Sequence, residues 1–421
     1  MLLGYFSFVA LFLLFLFWVK KDRLFQLGKL SWKFSFVALF LKISAGFALW
    51  FIYTYYYTDR MNADIYKYYD DALHLFNSTQ KNWPLRFELL FGFQNDSTLF
   101  PILKDTQFWY SSSEIFFNDN RTMTRIHLAI LHFSGGLYSF HVLFFAILSF
   151  IGSCGIFQFF RKSSNLSDSI LFAFCFLVPS FLFWNSAPLK ETVLIFGLGL
   201  LLFGIANISE IKSFRNFTLL TLGILTLLSL KIYILFALVP GLWFWTTSLN
   251  KSKVKIRMRY IGIHILMALF LFSSKASTVL ADKQAQFKTL IQETNASSAI
   301  AISPFDSFWS LLITIPQALF NVLVRPIYPT TWNSLSLLSA AEHLFLISIL
   351  ILPLIWKKAT SITEQRLVLF CISFVLVSSC VIGLTVPVLG GIVRYKAPLL
   401  PFYLLAIFTV VDLSKISPKL S

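Results

Sequence analysis

Apolar runs alternate with short basic breaks along almost the whole chain. Runs are found at 2–19, 34–57, 137–157, 169–186, 191–208, 217–230, 232–249, 260–274, 337–356, 367–386 and 399–413. Several reach about 18 residues or more, enough to cross a bilayer as a helix. The pattern predicts an all-α polytopic membrane bundle of about eleven transmembrane helices. Every second break is basic: Lys20, Lys21, Arg23, Lys29 and Lys33; Arg161 and Lys162; Lys212 and Arg215; Lys251, Lys253, Lys255, Arg257 and Arg259; Lys357 and Lys358; Lys415 and Lys419. Short basic loops mark the cytoplasmic side, so the predicted orientation is N-out and C-in. The first run carries its charges after it and shows no small-residue cleavage site, so it reads as a retained span. Lys42, one to two turns into the second run, is expected to snorkel towards the inner face.

Two intervals break the rhythm. The longer, 58–136, follows an aromatic belt of Trp50, Tyr53, Tyr55, Tyr56 and Tyr57 and is placed outside. Its apolar stretches, 87–93 and 126–133, are too short to span and are expected as helices at the membrane surface. The other outer segment is 275–336. Its stretch 307–324 is apolar enough to pass for a span, but counting it would put Lys357, Lys358, Lys415 and Lys419 outside. Pro316 at its centre suits a bent, partly inserted helix. The interval 387–398 is expected as a last outer loop. With no internal repeat or flexible linker, 1–421 reads as a single membrane domain.

Composition supports the class. Of 421 residues, 57% are hydrophobic and 13% charged, against roughly 25% charged in soluble domains. A membrane β-barrel needs short alternating segments that this chain lacks. The net charge of +16 lies mainly in the inner loops, which points to anionic membrane lipids and not to nucleic acid. Cys154, Cys175, Cys371 and Cys380 all sit inside apolar runs and read as packing residues. The six histidines show no metal-ligand spacing.

Chemistry-bearing residues collect on the outer side. The interval 58–136 holds nine of the nineteen carboxylates. Asp59, Arg60, Asn62, Asp64, Lys67, Asp70 and Asp71 crowd its start. On a helix, Asp64 and Asp71 share a face with Lys67 between them. That is either a solvated face with local ion pairs or an acid cluster able to act as general base or to hold a cation. Lys190 and Glu191 occupy a short outer turn, as a mutual ion pair or a phosphate grip. Lys231 reads as a snorkelling residue or a further phosphate contact. Glu342, one to two turns into its span, needs a partner, and a basic residue of an outer loop is the expected type. Arg325 and the group Arg394, Tyr395 and Lys396 add cations, in contact with lipid head groups or gripping a substrate phosphate.

These residues carry a resemblance: Asp64 with Tyr66 and Asp70-Asp71; Asn120 with Arg125-Ile126-His127; Pro179-Ser180 through Phe183-Trp184 to Lys190-Glu191; Arg325-Pro326 with Trp332 and Glu342; and Arg394-Tyr395-Lys396-Ala397-Pro398. Over most of 34–405 the chain resembles the multi-pass glycosyltransferases of the C superfamily. Within it, the likeness is to bacterial members associated with surface polysaccharide. The resemblance implies a polyprenyl-phosphate-linked sugar donor, a glycan, lipid or protein acceptor, and a site on the extracytoplasmic side of the bacterial inner membrane. It implies an inverting transfer in which Asp64, with Asp70 or Asp71 as alternatives, is the base. Asp64 would also be the ligand of any divalent cation, magnesium or manganese. Lys190, Arg325 and Arg394 would hold phosphate, with Glu191, Glu342, Tyr395 and Lys396 around them and Arg125, with Arg121, closing the site. The chain departs from the pattern by an extra first span. A polysaccharide polymerase or ligase shares the topology and the lipid-linked donor type. A flippase would show broken-helix pairs in two halves, which are not apparent here.

Overall fold

The structure is a computed structural model and describes residues 2–57, 60, 63–92, 96–109, 119–207, 213–247, 253–271, 273–294, 298–305, 307–328 and 334–416. Asp59, Asn62 and Trp332 lie outside the described residues. Helices account for most of it. In chain order they are α1 (Leu2–Lys21), α2 (Trp32–Phe51), α3 (Asp64–Ser78), α4 (Trp83–Phe91), α5 (Asp96–Leu103), α6 (Asp119–Ser134) and α7 (Tyr138–Ser163). Then follow α8 (Asp168–Phe176), α9 (Pro179–Trp184), α10 (Lys190–Ala206), α11 (Phe214–Leu230), α12 (Ile232–Thr247), α13 (Lys253–Leu271) and α14 (Ser274–Thr294). The last are α15 (Phe308–Leu323), α16 (Ser334–Ser348), α17 (Leu352–Ile355), α18 (Ile362–Thr385), α19 (Leu389–Lys396) and α20 (Leu400–Thr409). Among the described residues the only extended pairings are two isolated bridges, Ala299 with Val388 and Lys357 with Val411.

Among the described residues, five helical stretches are long and apolar enough to cross a membrane: Trp32–Tyr56, Tyr138–Ser163, Ser334–Ile355, Ile362–Thr385 and Leu389–Thr409. Phe214–Leu230, Ile232–Trp243 and Trp309–Leu323 are apolar but shorter. The chain is thus an all-α protein with the helices of a membrane protein. Several boundaries differ from the sequence pattern. The run at 169–186 is broken: α8 stops at Phe176, and Pro179, which lacks an amide hydrogen, starts the separate α9. The basic stretch from Lys253 to Arg259 is the first half of α13 and not a loop. The interval 387–398 is helical from Leu389 onward. Helix α19 passes through a 3₁₀ turn at Ala397–Leu399 into α20, so Arg394, Tyr395 and Lys396 sit on a helix.

The chain divides into two compact units, Met1–Phe159 with Leu182–Ile232, and Phe160–Phe181 with Tyr233–Ser421. In the first, α10 packs on α7 and α11 through glycines. A Cβ on Gly152 would run into the backbone of Ile195, and one on Gly199 into the backbone of Gly152. Small residues let helix backbones approach this closely, which is how apolar helices gain packing where no hydrophobic drive separates them from lipid. Helix α2 buries Ser35, Ala38, Leu39, Lys42, Gly46 and Leu49, a stripe at helical spacing. Lys42 lies on this packed face and is fully buried, so it does not snorkel as its position in the run suggests.

The interval after α2 is itself folded. Helices α3 to α6 enclose a core of Tyr69, Ala72, Leu75, Leu89, Leu99, Leu103, Trp109, Leu128 and Leu131. Hydrogen bonds tie α3 to α2, to α7 and to the turn before α7. Trp50 Nε1 donates to Tyr66 Oη (2.9 Å). Tyr138 Oη donates to the Ile65 carbonyl (2.5 Å) and Tyr69 Oη to the Gly136 carbonyl (2.6 Å). Of the aromatic belt, Tyr55, Tyr56 and Tyr57 are exposed while Trp50 turns inward. Helix α4 exposes Trp83, Phe87 and Phe91, four residues apart, and buries Arg86 and Leu89 on its other side. That suits a helix lying in the membrane interface.

In the second unit α18 is central and packs against α14, α15 and α20. A Cβ on Gly383 of α18 would meet the Ala318 carbonyl of α15. The four cysteines are unbridged, three of them buried.

The glycine contacts generate a prediction. Gly199→Val should destabilise the protein by about 2 kcal/mol or more, because the added atoms meet backbone and not a flexible side chain. Gly262→Val, at a site with no atom within 4 Å of an added Cβ, is the control. Equal melting temperatures for the two variants in detergent would refute a close α7–α10 crossing.

Candidate functional site

In the first unit, three chain segments place ammonium groups around two carboxylates. Lys190 starts α10, Lys231 follows the last turn of α11, and Lys67 lies one turn into α3. Lys190 Nζ is 2.8 Å from Asp119 Oδ2 and donates to Asn120 Oδ1 at 2.7 Å. Lys231 Nζ is 3.6 Å from the same Asp119 oxygen. Lys67 Nζ is 3.2 Å from Asp64 Oδ1, and Asp64 also acts electrostatically on Lys190. The Tyr68 ring lies 5.2 Å from Lys190 Nζ. The lysines are the more buried partners, with side-chain exposures of 11–15%, against 28% for Asp119 and 33% for Asp64.

Local sequence explains the placement. Asp119 and Asn120 open α6, where acidic and amide side chains suit the positive end of a helix. Glu191 occupies the equivalent turn of α10 and is buried there. Met123 and Ile130 on α6, Tyr68 on α3, Val193 on α10 and Leu230 on α11 share one apolar cluster. That cluster brings the helix ends together and removes water from around the ammonium groups. Burial pulls the Lys190 ammonium from its ordinary 10.5 down to about 8, with Asp119 pulling the other way.

Next to this group lies a polar cavity of about 310 Å³ lined by Arg60, Lys67, Asp70, Asp71, His74, Asp105 and Gln107. Lys67 belongs to both. Within the cavity wall the acids do different work. Arg60 grips Asp70 with two hydrogen bonds, Nε to Oδ2 at 3.1 Å and Nη2 to Oδ1 at 2.5 Å. The same guanidinium stacks on the Tyr66 ring, 4.0 Å from its centroid. Asp71 is buried, and its oxygens accept from the backbone amides of Gln107 (2.9 Å), Phe108 (2.8 Å) and Trp109 (3.0 Å). Burial raises its carboxyl above the ordinary range while the three amides pull it back. Asp71 therefore anchors the 107–109 segment.

Arg121 and Arg125 face the other side of that segment. Arg121 Nε donates to the Trp109 carbonyl (3.1 Å) and Arg125 Nε to the Leu89 carbonyl (3.1 Å), and both guanidinium groups lie within 5.6 Å of the Trp109 ring centroid. They brace the wall. Two histidines that look scattered in sequence also meet: His127 Nδ1 and His141 Nδ1 are 2.9 Å apart, and His141 Nε2 is 3.1 Å from Ser134 Oγ. Burial, with His141 adding to it, holds His127 well below the ordinary histidine range.

The remaining expected site residues belong to the second unit. Glu342 accepts from the Ser180 amide (2.9 Å) and from the Ser180 hydroxyl. Its hydrogen-bond partner is thus the first turn of α9, while Lys396, a basic residue of the expected last outer segment, interacts with it electrostatically. Lys396 is buried and donates to the Val322 and Arg325 carbonyls (3.2 and 2.8 Å), with His343 Nδ1 at 3.1 Å. It caps the end of α15. Arg325 lies against the Phe320 ring (5.5 Å), and the largely buried Arg394 against the Tyr395 ring (5.4 Å).

The Asp64 carboxylate faces an ammonium, and among the described residues no three His, Cys, Asp or Glu side chains converge for a metal. Sequence reading put Asp64 first and Asp70 and Asp71 after it, but gave Asp119 no special role. The signal for Asp119 was its place beside Asn120 at a helix start. Nothing local marked Asp105, His74 or Gln107.

Two measurements follow from this geometry. Asp71→Ala should cost on the order of 3 kcal/mol by leaving three amides without their charged acceptor. Amides 107–109 should then exchange hydrogen faster, and unchanged protection would refute the anchor. Lys190 titrates with a defined sign. Its folded pKa lies below the unfolded value, so its contribution to stability grows as pH rises from about 8 to about 10.5. Anion binding runs the opposite way, because the ammonium is lost as pH rises through about 8. Inorganic phosphate binding should weaken above that pH in the wild type and persist in Lys190→Arg, whose guanidinium stays charged. Parallel pH profiles for the two proteins would contradict the role.

No family model, curated protein or solved structure matches this chain.

Proposed function

We propose that the chain is an integral-membrane glycosyltransferase that moves a sugar from a polyprenyl-phosphate donor to an extracytoplasmic acceptor. The observation that carries this reading is the gathering of Lys67, Lys190 and Lys231 around Asp64 and Asp119, beside a polar cavity that shares Lys67. Supporting it are the positive-inside pattern, which favours eleven crossings with the N-terminus and the 58–136 interval outside, and the resemblance to the C superfamily. Asn120 and Lys190, both in motifs that carry the resemblance, are hydrogen-bonded to each other. The host membrane implied by the resemblance is the bacterial inner membrane.

In this mechanism Lys190 and Lys231 hold the donor phosphate, and the cavity, which Lys67 joins to them, holds a sugar. A carboxylate takes the proton of the acceptor hydroxyl. The acceptor oxygen forms a bond to the anomeric carbon from the face opposite the phosphate. The bond from that carbon to the phosphate oxygen breaks with its electron pair, and the ammonium groups stabilise the charge that develops on the leaving phosphate. Asp64 is the base of choice among the three acids of α3. It is the position the resemblance favours, and it faces Lys67 at 3.2 Å on a side chain one-third exposed, beside Lys190. Asp119 holds Lys190 and Lys231 in place as a positioning residue.

The test is transfer by Asp64→Asn in purified full-length protein. Loss of a general base lowers turnover by roughly 10²–10⁴-fold. Folding should be retained, because Asp64 is partly exposed and lies at the start of its helix. Turnover at the wild-type rate would refute the assignment.

A further inference from the structure

We infer that the cavity lined by Arg60, Lys67, Asp70, His74, Asp105 and Gln107 is a saccharide subsite that selects an uncharged sugar and rejects an acidic one. The inference rests on the transferase reading for its biological setting but on the cavity alone for its chemistry. The volume, about 310 Å³, lies at the small end of the roughly 300–1,000 Å³ of ligand pockets. It suits a small sugar and not an extended glycan.

The lining decides the class of ligand. Two cations, Arg60 and Lys67, meet three carboxylates, Asp70, Asp71 and Asp105, so the described wall carries a net charge of −1. Arg60 is held by Asp70, Lys67 by Asp64, and Asp71 by its three amides. Each cation of the wall is thus paired with a carboxylate, and the wall keeps its negative excess. The groups left to meet a ligand are the exposed Asp105 carboxylate, the Gln107 side-chain amide, and His74, whose Nε2 is 3.3 Å from the Ile102 carbonyl. Asp105 and Gln107 have no side-chain partner among the described residues. A carboxylate accepts from hydroxyl groups, an amide both donates and accepts, and a sugar hydroxyl does both. A uronate or phosphate in the same space would face Asp105 with like charge. The anionic part of a donor therefore belongs at Lys190 and Lys231, outside this cavity.

The test uses saturation-transfer NMR on the full chain in nanodiscs, with glucose, N-acetylglucosamine and glucuronate as probes at neutral pH. Signal is expected for the two neutral sugars and is at least about tenfold weaker for glucuronate. Gln107→Ala should weaken the neutral signals. Asp105→Lys, at an exposed position that does not threaten folding, should raise glucuronate binding above wild type. The inference is overturned if no neutral sugar gives signal, if glucuronate binds the wild type as well as glucose does, or if Asp105→Lys leaves the preference unchanged. Binding is read without turnover, so the two claims separate. Neutral-sugar binding in a protein that transfers no sugar leaves the subsite standing and removes the transferase. Transfer of an acidic sugar combined with failed selectivity does the reverse.

Discussion

Two ammonium groups at the ends of the apolar helices α10 and α11 converge on one carboxylate, Asp119, and the arrangement of the first unit depends on that convergence. A lysine buried without a partner is expensive. Lys190 and Lys231 are mostly buried, so α6 must bring a carboxylate to within ion-pairing range of them. The requirement fixes how the helices of the 58–136 interval sit on α10 and α11. It also leaves a lysine that is unusually easy to deprotonate, a property suited to a group that must meet an anion and later release it.

The four helices after α2 divide into parts that build and parts that face outward. Asp71, Arg86, Arg121 and Arg125 are charged residues used as scaffolding. Asp71 collects amides, and Arg86 caps α3 through the Phe76 carbonyl (2.8 Å) and the Thr79 hydroxyl (3.1 Å). Arg121 and Arg125 brace Trp109. With these inside, the residues that remain towards the cavity are the ones able to meet a ligand. Charge in this interval is thus a poor guide to chemistry until its partners are known. Asp70 and Asp71 are neighbours in sequence, yet one pairs with an exposed arginine and the other disappears into the wall.

The second unit tells the same story for Lys396 and Glu342. Both look like substrate-binding residues when read as isolated charges in apolar sequence. Each instead satisfies a helix end, Lys396 at the close of α15 and Glu342 at the start of α9. Helix termini leave backbone groups unsatisfied, and in apolar surroundings a charged side chain is an effective way to meet them. The broken run at 169–186 has the same origin: Pro179 starts a new helix, and Glu342 completes it.

Sequence by itself determined the helical class, the apolar runs, the isolation of a polar interval at 58–136, and the packing role of the cysteines. These follow from hydropathy and period, which are local properties. It also marked Lys190, Asn120 and Asp64. Tertiary structure alone decided that Asn120 meets Lys190, that Asp119 joins two lysines, that Lys42 is buried, and that His127 and His141 share a contact. It alone decided that the stretch from Arg394 to Lys396 is helical. Each depends on which faces of distant helices meet, and so on backbone approaches such as Gly152 against Ile195. A one-dimensional pattern of apolar and polar positions states how much of a helix must be covered, but not which neighbour covers it.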